Sequence, residues 1–544
     1  MNNILSQVKL NWKAGLTVAL VNVPMSLALS IASGATPAAG IVTAIWAGLI
    51  SALIGGSIYN IVGPAGALSG ILASYALMYG ASVLPVIAII SGILILIAWF
   101  FRLDRYIVFI PSSVIHGFTL AVAITIGLGQ LNAALGLKGL VRHDTFTQNT
   151  LESLRNLTFI NWTAFSLFAA GFIILFALLR LAPKFPGIIA VAAMGIGAGY
   201  ASTVGWFPLV FETVQSKFGS VTLKLFTMPE LSLSAFNMTV IKAAPLVAVI
   251  VVLETLLSAK VADGMTKTKF NQRKEVLGIA LANIGSGFFG GLPATGVFAR
   301  TALNIRSGAT SNYSAIINVL VVTLISFVLL PGFSFLPMPI VASILVFLSF
   351  RMVAAEHFVN LYKFDKTACG LSLAVAALCV IYDPLIGILA GSAVSLLFFV
   401  NYLSQAQGEI LIGDAQGEMS RLHPSDFDVQ KTSGNTLIYR FVGELNYMNA
   451  ERHREFVHRI NGDHFIVLNF RNLFYVDIDG LEAVDEIVHE LESRGKEVFL
   501  SGIAPQVHPL FAKKAWFVEI QERGLVVKNT SEALAKIKVK RAAV

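Results

Sequence analysis

The chain of 544 residues is 56% hydrophobic, and only 13% of its residues are charged. Soluble domains carry about 25% charged residues, so a mean hydropathy of +0.75 excludes a soluble globular enzyme as the whole molecule. Residues 406–544 hold 17 of the 39 Lys and Arg residues and 20 of the 31 Asp and Glu residues. This uneven charge predicts a membrane part over residues 1–405, a linker over 406–427 and a soluble domain over 428–544.

The membrane part begins with a long apolar stretch, since no charged residue occurs between Ala14 and Phe101. A helix crosses the hydrocarbon core in about 20 residues, and the apolar runs together predict about 14 spans. Seven fall in a first half (about 12–210) and seven in a second half (about 238–405). With both termini inside, the cytoplasmic connections carry 15 Lys and Arg residues and the outer connections carry 6. This asymmetry follows the positive-inside rule and predicts that both termini are cytoplasmic.

Two apolar segments are interrupted by Gly and Pro. The third begins with VGPAG at Val62, and the tenth begins with GGLPATG at Gly290. Proline suits the first helical position, so each segment is predicted to be a short helix that starts at its proline. Paired interruptions indicate an inverted repeat, and two helix N-termini that face each other attract anions through unpaired N–H groups. Ordinary kinking of membrane helices by Gly and Pro is the alternative.

Two charged residues lie within the apolar segments. Arg300 is predicted about two turns into the second short helix, where it adds positive charge to an anion site; snorkelling to the surface and pairing with Glu254 are alternatives. Ser258 follows Glu254 by four residues, on the same helix face. Because burial favours the neutral form of a carboxyl group, Glu254 is expected to load and release a proton. Cation binding, charge balance with Arg300 and a structural role remain open for Glu254.

Four stretches carry a resemblance to a known family: 14–41, 55–67, 253–266 and 278–309, the last being GIALANIGSGFFGGLPATGVFARTALNIRSGA. They resemble the SulP (solute carrier 26) anion transporters, whose C-terminal STAS domain residues 428–544 also resemble. The resemblance implies an α-helical membrane protein of about 14 transmembrane helices in two inverted seven-helix repeats, as in uracil permeases. It further implies core and gate domains that move as an elevator, and a C-terminal α/β STAS domain.

The resemblance also implies where anion and coupling ion bind. By motif, the substrate site comprises Met25, Leu29, Ala65, Gly66, Gly296, Val297, Phe298 and Arg300, and the coupling-ion site comprises Glu254 and Ser258. Sodium-coupled bicarbonate members resemble a variant with Asp on the eighth helix and hydroxyl residues around it. Ala65 and Phe298 take those places here, so we expect a coupling proton or simple anion exchange rather than sodium.

The soluble part alternates between strand and helix patterns. Strands are predicted at Thr436–Gly443, Phe465–Phe470 and Glu497–Ser501, and helices at Ala450–Ile460 and Gly480–Arg494. Antagonists of anti-sigma factors, which STAS domains resemble, carry a phosphorylatable hydroxyl in a D-x-S-G loop. Here that regulatory loop contains Asp477, Asp479 and Gly480, with Asp479 in the hydroxyl position. We expect the aspartates to cap the following helix in a structural or dimer-stabilising role, with a nucleotide or phosphorylation switch as the alternative.

These observations predict a secondary active transporter of small anions, such as sulfate, bicarbonate or a dicarboxylate, and not an enzyme. We expect a homodimer in the lipid bilayer of the cytoplasmic membrane, with no metal, cofactor or nucleic-acid partner and with a cytoplasmic protein as a candidate partner of the STAS domain. Three alternatives remain open: a sodium-coupled bicarbonate symporter, a carrier like the nucleobase permeases, and a membrane sensor that signals through its STAS domain.

Overall fold

The structure is a computed structural model that describes residues 2–103, 111–141, 143, 145–182, 185–206, 211–219, 223–226, 238–353, 355–382, 384–404, 408–413, 419–422, 436–459 and 464–542. Two compact units, Met1–Ala393 and Val394–Val544, divide the chain. Each unit has its own hydrophobic core. The residues of each unit pack mainly against one another.

The first unit is helical apart from two short strands. The helices of its first half are α1 Asn2–Ala32, α2 Pro37–Ile54, α3 Gly66–Tyr79, α4 Val83–Phe100, α5 Ser112–Gly129, α6 Leu131–Leu135, α7 Phe146–Arg155, α8 Trp162–Leu181, α9 Gly187–Thr203 and α10 Val214–Phe218. Those of its second half are α11 Met238–Thr266, α12 Gln272–Phe288, α13 Phe298–Arg306, α14 Tyr313–Phe333, α15 Met338–Met352, α16 Ala355–Phe364, α17 Lys366–Ile381 and α18 Pro384–Leu403, which runs on into the second unit. The strands are β1 Val62–Pro64 and β2 Ala294–Gly296.

Many of these helices suit a membrane. Among the residues that the structure describes, 8 helices are long and apolar enough to cross a bilayer, and shorter apolar helices occur at Gly66–Tyr79, Gly187–Thr203, Lys366–Ile381 and Ile386–Tyr402. The unit is thus a multi-helix membrane domain, as the sequence predicts. The count of 14 spans and the inverted repeat stay predictions.

Small residues let these helices approach closely. On α4, a Cβ added at Gly92 would lie 2.8 Å from the carbonyl oxygen of Ala280 on α12. On α12, a Cβ at Gly278 would lie 2.7 Å from the Cα of Gly55, in the segment that follows α2. Lipid tails are as apolar as the helices, so such close backbone packing is what holds membrane helices together. It fixes α12 firmly against α2 and α4.

The second unit is an α/β domain around a six-stranded sheet. Its strands are β3 Gly408–Gly413, β4 Met419–Leu422, β5 Thr436–Leu445, β6 Phe465–Val476, β7 Glu497–Ser501 and β8 Val526–Val527, in the order β4-β3-β5-β6-β7-β8. Strands β5 to β8 are parallel, and β3 is antiparallel to both of its neighbours. The helices are α19 Ala450–His458, α20 Ile478–Ser493, α21 His508–Phe511, α22 Ala515–Glu522 and α23 Thr530–Ala542.

The three predicted strands and two predicted helices of this unit are confirmed, with shifted ends. Strand β6 continues to Val476, six residues beyond the predicted Phe470, and its buried run is interrupted there by the exposed Arg471 and Asn472. Strands β3 and β4 lie within residues 406–427, which the sequence assigns to a linker, and β3 pairs with β5. The sheet therefore extends into that segment, whose other residues lie outside the described ranges.

A histidine is buried in the core of the second unit. His453 is fully buried, and its Nδ1 lies 2.7 Å from the hydroxyl oxygen of Tyr439. Its Nε2 has no hydrogen-bond partner among the described residues, and the ring packs against Phe441 at a centroid distance of 4.9 Å. Burial disfavours the imidazolium and lowers the pKa of His453 from 6.5 to about 4. The folded domain therefore needs this side chain neutral.

Acid is expected to destabilise the second unit through His453. The unfolded chain takes up a proton on His453 near pH 6.5, and the folded chain does so only near pH 4. The contribution of the neutral His453 to stability is therefore fully present above pH 6.5 and is lost as the pH falls towards 4. At pH 5 the free energy of unfolding is lower by about 2 kcal/mol for this reason. Hydrogen exchange of β5 amides in the full-length protein at pH 7.5 and pH 5, corrected for intrinsic rates, measures it. His453→Gln should lose most of this pH dependence, and an equal acid effect in the variant would contradict the assignment.

Candidate functional site

The two interrupted segments meet in the middle of the first unit. Strands β1 and β2 pair antiparallel, with Val62 opposite Gly296 and Pro64 opposite Ala294. Helix α3 begins at Gly66 directly after β1, and α13 begins at Phe298 directly after β2. The predicted meeting of the two segments is confirmed. We call this pair of strands the ribbon.

The structure corrects the predicted starts of the two short helices. Pro64 lies within β1 and Pro293 lies directly before β2, so neither proline occupies the first helical position. Pro64 itself and the three residues after Pro293 are extended because they pair across the ribbon. Consequently Arg300 is the third residue of α13, in its first turn, and not two turns along the helix.

The starts of both short helices carry no side-chain cap. Ala65 and Val297 occupy the N-cap positions, and neither makes a side-chain hydrogen bond to the helix. Helices usually begin with Ser, Thr, Asp or Asn, whose oxygen accepts a hydrogen bond from an amide of the first turn. An apolar residue here leaves first-turn N–H groups free for a ligand, and each helix end contributes roughly half a positive charge. A pair of helix starts of this kind has donors and positive charge that would attract an anion.

Arg300 is a buried cation without a hydrogen-bond partner. The residue is 1% exposed, and none of its three guanidinium nitrogens has a partner among the described residues. The guanidinium lies against the ribbon, because a Cβ added at Gly63 would be 2.5 Å from its Nη1. Buried polar groups are nearly always hydrogen-bonded, and an unpaired charge in a membrane protein is costly. Among the described residues, Arg300 therefore lacks a hydrogen-bonded counter-ion, which a bound anion would supply.

Glu254 approaches the ribbon from α11. Its Oε2 accepts a hydrogen bond of 2.7 Å from the hydroxyl of Thr295, in β2. The carboxylate and the Arg300 guanidinium attract each other electrostatically. The neighbouring Thr255 hydroxyl accepts a hydrogen bond of 2.9 Å from the amide of Gly296. Glu254 and Thr255 of α11 thus both hydrogen-bond to β2, and Glu254 brings a titratable carboxyl group to the ribbon.

A small, mainly apolar cavity opens beside Glu254. Glu254 and Thr119 are the polar residues in its described lining, and the remainder is apolar. The described lining comes from Ala67 of α3, from α5 and α11, and from Met352 and Ile388. Glu254 is the ionisable residue in this described lining.

The other predicted site residues lie at different places. Met25 and Leu29 are 3% and 1% exposed on α1, and a Cβ at Gly66 would lie 3.8 Å from the Cδ2 of Leu29. Leu29 thus lies beside the first residue of α3. Val297 is half-buried, and Phe298 is 48% exposed.

The hydroxyl of Ser258 hydrogen-bonds to the segment before β1 and to α13. It donates a hydrogen bond of 2.6 Å to the Oδ1 of Asn60 and lies 3.1 Å from the hydroxyl of Thr301. The sequence analysis missed Asn60, Thr295 and Thr301. A polar residue beside each Gly-Pro interruption is the signal that could have indicated them, because a broken helix leaves backbone groups that need partners.

The regulatory loop of the second unit forms a helix start. The Oδ1 of Asp477 accepts a hydrogen bond of 2.8 Å from the amide of Gly480, and its Oδ2 accepts one of 3.0 Å from the amide of Tyr447. Asp479 lies in the first turn of α20. The capping role of Asp477 is confirmed, and a Cβ at Gly480 would clash with the carbonyl oxygen of Leu445.

Comparison with known proteins decides the family. A family model described as the sulfate permease family matches residues 9–375. The chain belongs to this family. A STAS domain matches residues 427–532, so the second unit is a STAS domain. Membership in the sulfate permease family makes this a multi-pass membrane protein of an anion-transporter family and not an enzyme.

Relatives within the family are named for two anions. "Putative sulfate transporter YvdB" of Bacillus subtilis (strain 168) is 30% identical over 514 residues, which cover 93% of this chain and 94% of that protein. "Bicarbonate transporter BicA" of Picosynechococcus sp. is 23% identical over 526 residues, covering 93% of this chain and 90% of that protein. The structure of the murine Slc26a9 anion transporter in the inward-facing state is similar in fold, with a TM-score of 0.82 and 16% identity over 98% of this chain and 92% of that chain.

Proposed function

We propose that this protein is a secondary active transporter of a small oxyanion, with sulfate and bicarbonate as the first candidates. The observation that carries the proposal is the Arg300 guanidinium, buried without a hydrogen-bond partner among the described residues at the uncapped start of α13. Arginine presents a planar fork of N–H donors that matches planar or tetrahedral oxyanions. The uncapped helix starts at Ala65 and Val297 supply further donors. The names of the relatives support the choice of anions, and a dicarboxylate such as fumarate or succinate is a third candidate.

Coupling to a proton through Glu254 is the second part of the proposal. Glu254 lines the cavity and shares the site with Arg300. A proton on this carboxyl group would remove the internal counter-charge of Arg300 and leave the guanidinium to the anion. Anion and proton would then bind together, as symport requires. Sodium is less favoured, because the Thr295 hydroxyl already donates to Glu254 and Ala65 offers no side-chain oxygen.

An elevator motion is the third part. The ribbon, α11 and α13 are joined by hydrogen bonds, whereas the described lining of the cavity is apolar apart from Glu254 and Thr119. A hydrogen-bonded body that faces an apolar wall can slide without breaking polar contacts. We propose that the ribbon side carries the anion as a core domain, in a cytoplasmic-membrane homodimer with both termini inside.

Transport by purified protein in liposomes tests the proposal. Labelled sulfate, bicarbonate, fumarate and uracil are offered with an imposed proton gradient, an imposed sodium gradient or neither. We expect accumulation of an oxyanion with the proton gradient, or exchange with internal anion. Accumulation only with sodium would favour the sodium-coupled alternative, and uptake of uracil alone would favour a nucleobase carrier. No flux of any solute, with or without the STAS domain, would favour a sensor and contradict the proposal.

A further inference from the structure

A second carboxylate is buried in the membrane unit, away from the cavity. Glu275 lies in the first turn of α12 and is 1% exposed. Its Oε2 accepts hydrogen bonds of 2.7 Å from the amides of Gly56 and Ser57, and its Oε1 accepts one of 2.7 Å from the Nδ2 of Asn60. The three donors all belong to the segment that leads into β1. One carboxylate thus holds the approach to the ribbon.

Asn60 also connects this segment to α11 and α13 through hydrogen bonds. Its Oδ1 accepts hydrogen bonds from Ser258 at 2.6 Å and from Thr301 at 3.0 Å. The Thr301 hydroxyl oxygen in turn accepts a hydrogen bond of 3.1 Å from the amide of Ile61. We call Asn60, Ser258, Glu275 and Thr301 the Asn60 hub. It ties three helices to the segment before β1, and Thr301 directly follows Arg300.

Two acceptors orient the Asn60 amide. An ionised Glu only accepts hydrogen bonds, whereas an amide offers both donors and an acceptor. The Nδ2 of Asn60 donates to Glu275 at 2.7 Å and to the carbonyl oxygen of Thr255 at 3.2 Å, so Oδ1 faces the Ser258 and Thr301 hydroxyls. If a neutral glutamine replaced Glu275, the shorter of these two hydrogen bonds would lose its charge, and Asn60 would be held less firmly.

Helix α12 supports β2 in a similar way. Asn283 donates a hydrogen bond of 2.9 Å to the carbonyl oxygen of Ala294 and accepts one of 2.9 Å from its amide. The Ser286 hydroxyl donates to the carbonyl oxygen of Leu292 at 2.7 Å. One helix thus holds both strands of the ribbon, through Glu275 on one side and Asn283 on the other.

We propose that Glu275 is a positioning residue that sets anion affinity by fixing Arg300 and the ribbon through the Asn60 hub. It touches neither the anion nor the cavity, and this role rests on the proposed function. A rigid support of this kind keeps a binding group in its productive geometry. Its loss should weaken substrate binding while the chain still folds around α12.

The test is Glu275→Gln in the full-length protein, with transport in liposomes as the readout. We expect KM for the transported anion to rise about tenfold or more, with a smaller change in the maximal rate. Glu356→Gln, which replaces an exposed carboxylate at the start of α16, is the matched control with unchanged KM.

Thr301→Val provides a second route if Glu275→Gln does not fold. It preserves side-chain shape and cuts the Asn60 hub between Asn60 and α13, so it should also raise KM. An unchanged KM in a folded Glu275→Gln or Thr301→Val protein would overturn the positioning role. A wild-type protein that transports no anion would contradict the proposed function itself, which separates the two failures.

Discussion

Replacing Arg300 with glutamine is expected to raise KM for the transported anion about 10- to 100-fold, because it removes charge-assisted hydrogen bonds that contribute about 1.5–3 kcal/mol. The guanidinium lies against the ribbon and has no hydrogen-bond partner among the described residues. Arg300→Lys should be intermediate, since an ammonium group keeps the charge and loses the planar fork. Initial rates of uptake over a range of anion concentrations measure the effect.

Arg300→Gln should weaken anion binding without lowering the stability of the fold. A buried cation without a hydrogen bond destabilises the empty protein, so Arg300→Gln should not lower Tm. Sulfate or bicarbonate should raise Tm of the wild type by mass action and fail to raise that of the variant. Arg306→Gln is the matched control, because Arg306 ends the same helix and is exposed. Unchanged KM in Arg300→Gln, or an equal loss in Arg306→Gln, would contradict the assignment of the anion site.

The features predicted best from the sequence are those with a strong local signal. The Gly-Pro pairs at residues 62–66 and 290–296 indicated where helices break, because these residue types disfavour a continuous helix wherever they lie. The strands of the STAS domain followed from short runs of buried aliphatic residues. The two breaks do meet, as the antiparallel pairing of Val62 with Gly296 shows.

The ribbon itself was not predictable in the same way. Three residues on each side pair as strands only because the other break lies opposite, and such a long-range contact leaves no local pattern. For the same reason the sequence placed Arg300 two turns along a helix, whereas the structure places it in the first turn.

The burial of Glu275 could not be predicted from the sequence, for a different reason. Glu275 follows Gln272, Arg273 and Lys274, and a charged run at the end of an apolar segment is typical of a solvated loop. The structure buries its carboxylate because three donors from the segment before β1 converge on it. These partners lie 215 to 219 residues away in the chain, so burial could not be inferred from spacing. Ser258 was likewise assigned to Glu254 by its helical spacing, although its hydroxyl lies on the Asn60 hub.

Replacing Glu254 with glutamine is expected to abolish accumulation driven by a proton gradient while anion exchange continues. Glutamine has nearly the same shape, and its carbonyl oxygen still accepts the hydrogen bond from Thr295, so the ribbon should keep its geometry. With one proton coupled to each anion, a gradient of one pH unit supports about tenfold accumulation. The wild type should approach this ratio, and the variant should only equilibrate.

Asp263→Asn is the matched control for this experiment, since Asp263 lies on the same helix and accepts hydrogen bonds from Thr268 and Phe270 in the loop after it. This control should retain proton-driven accumulation. The variant also distinguishes coupling from simple charge balance. If Glu254 only compensates Arg300, the neutral glutamine should bind anion more tightly and leave the dependence on the proton gradient intact. Full proton-driven accumulation by Glu254→Gln would therefore remove Glu254 from the coupling role, whereas its loss with exchange preserved requires a proton that travels on this carboxyl group.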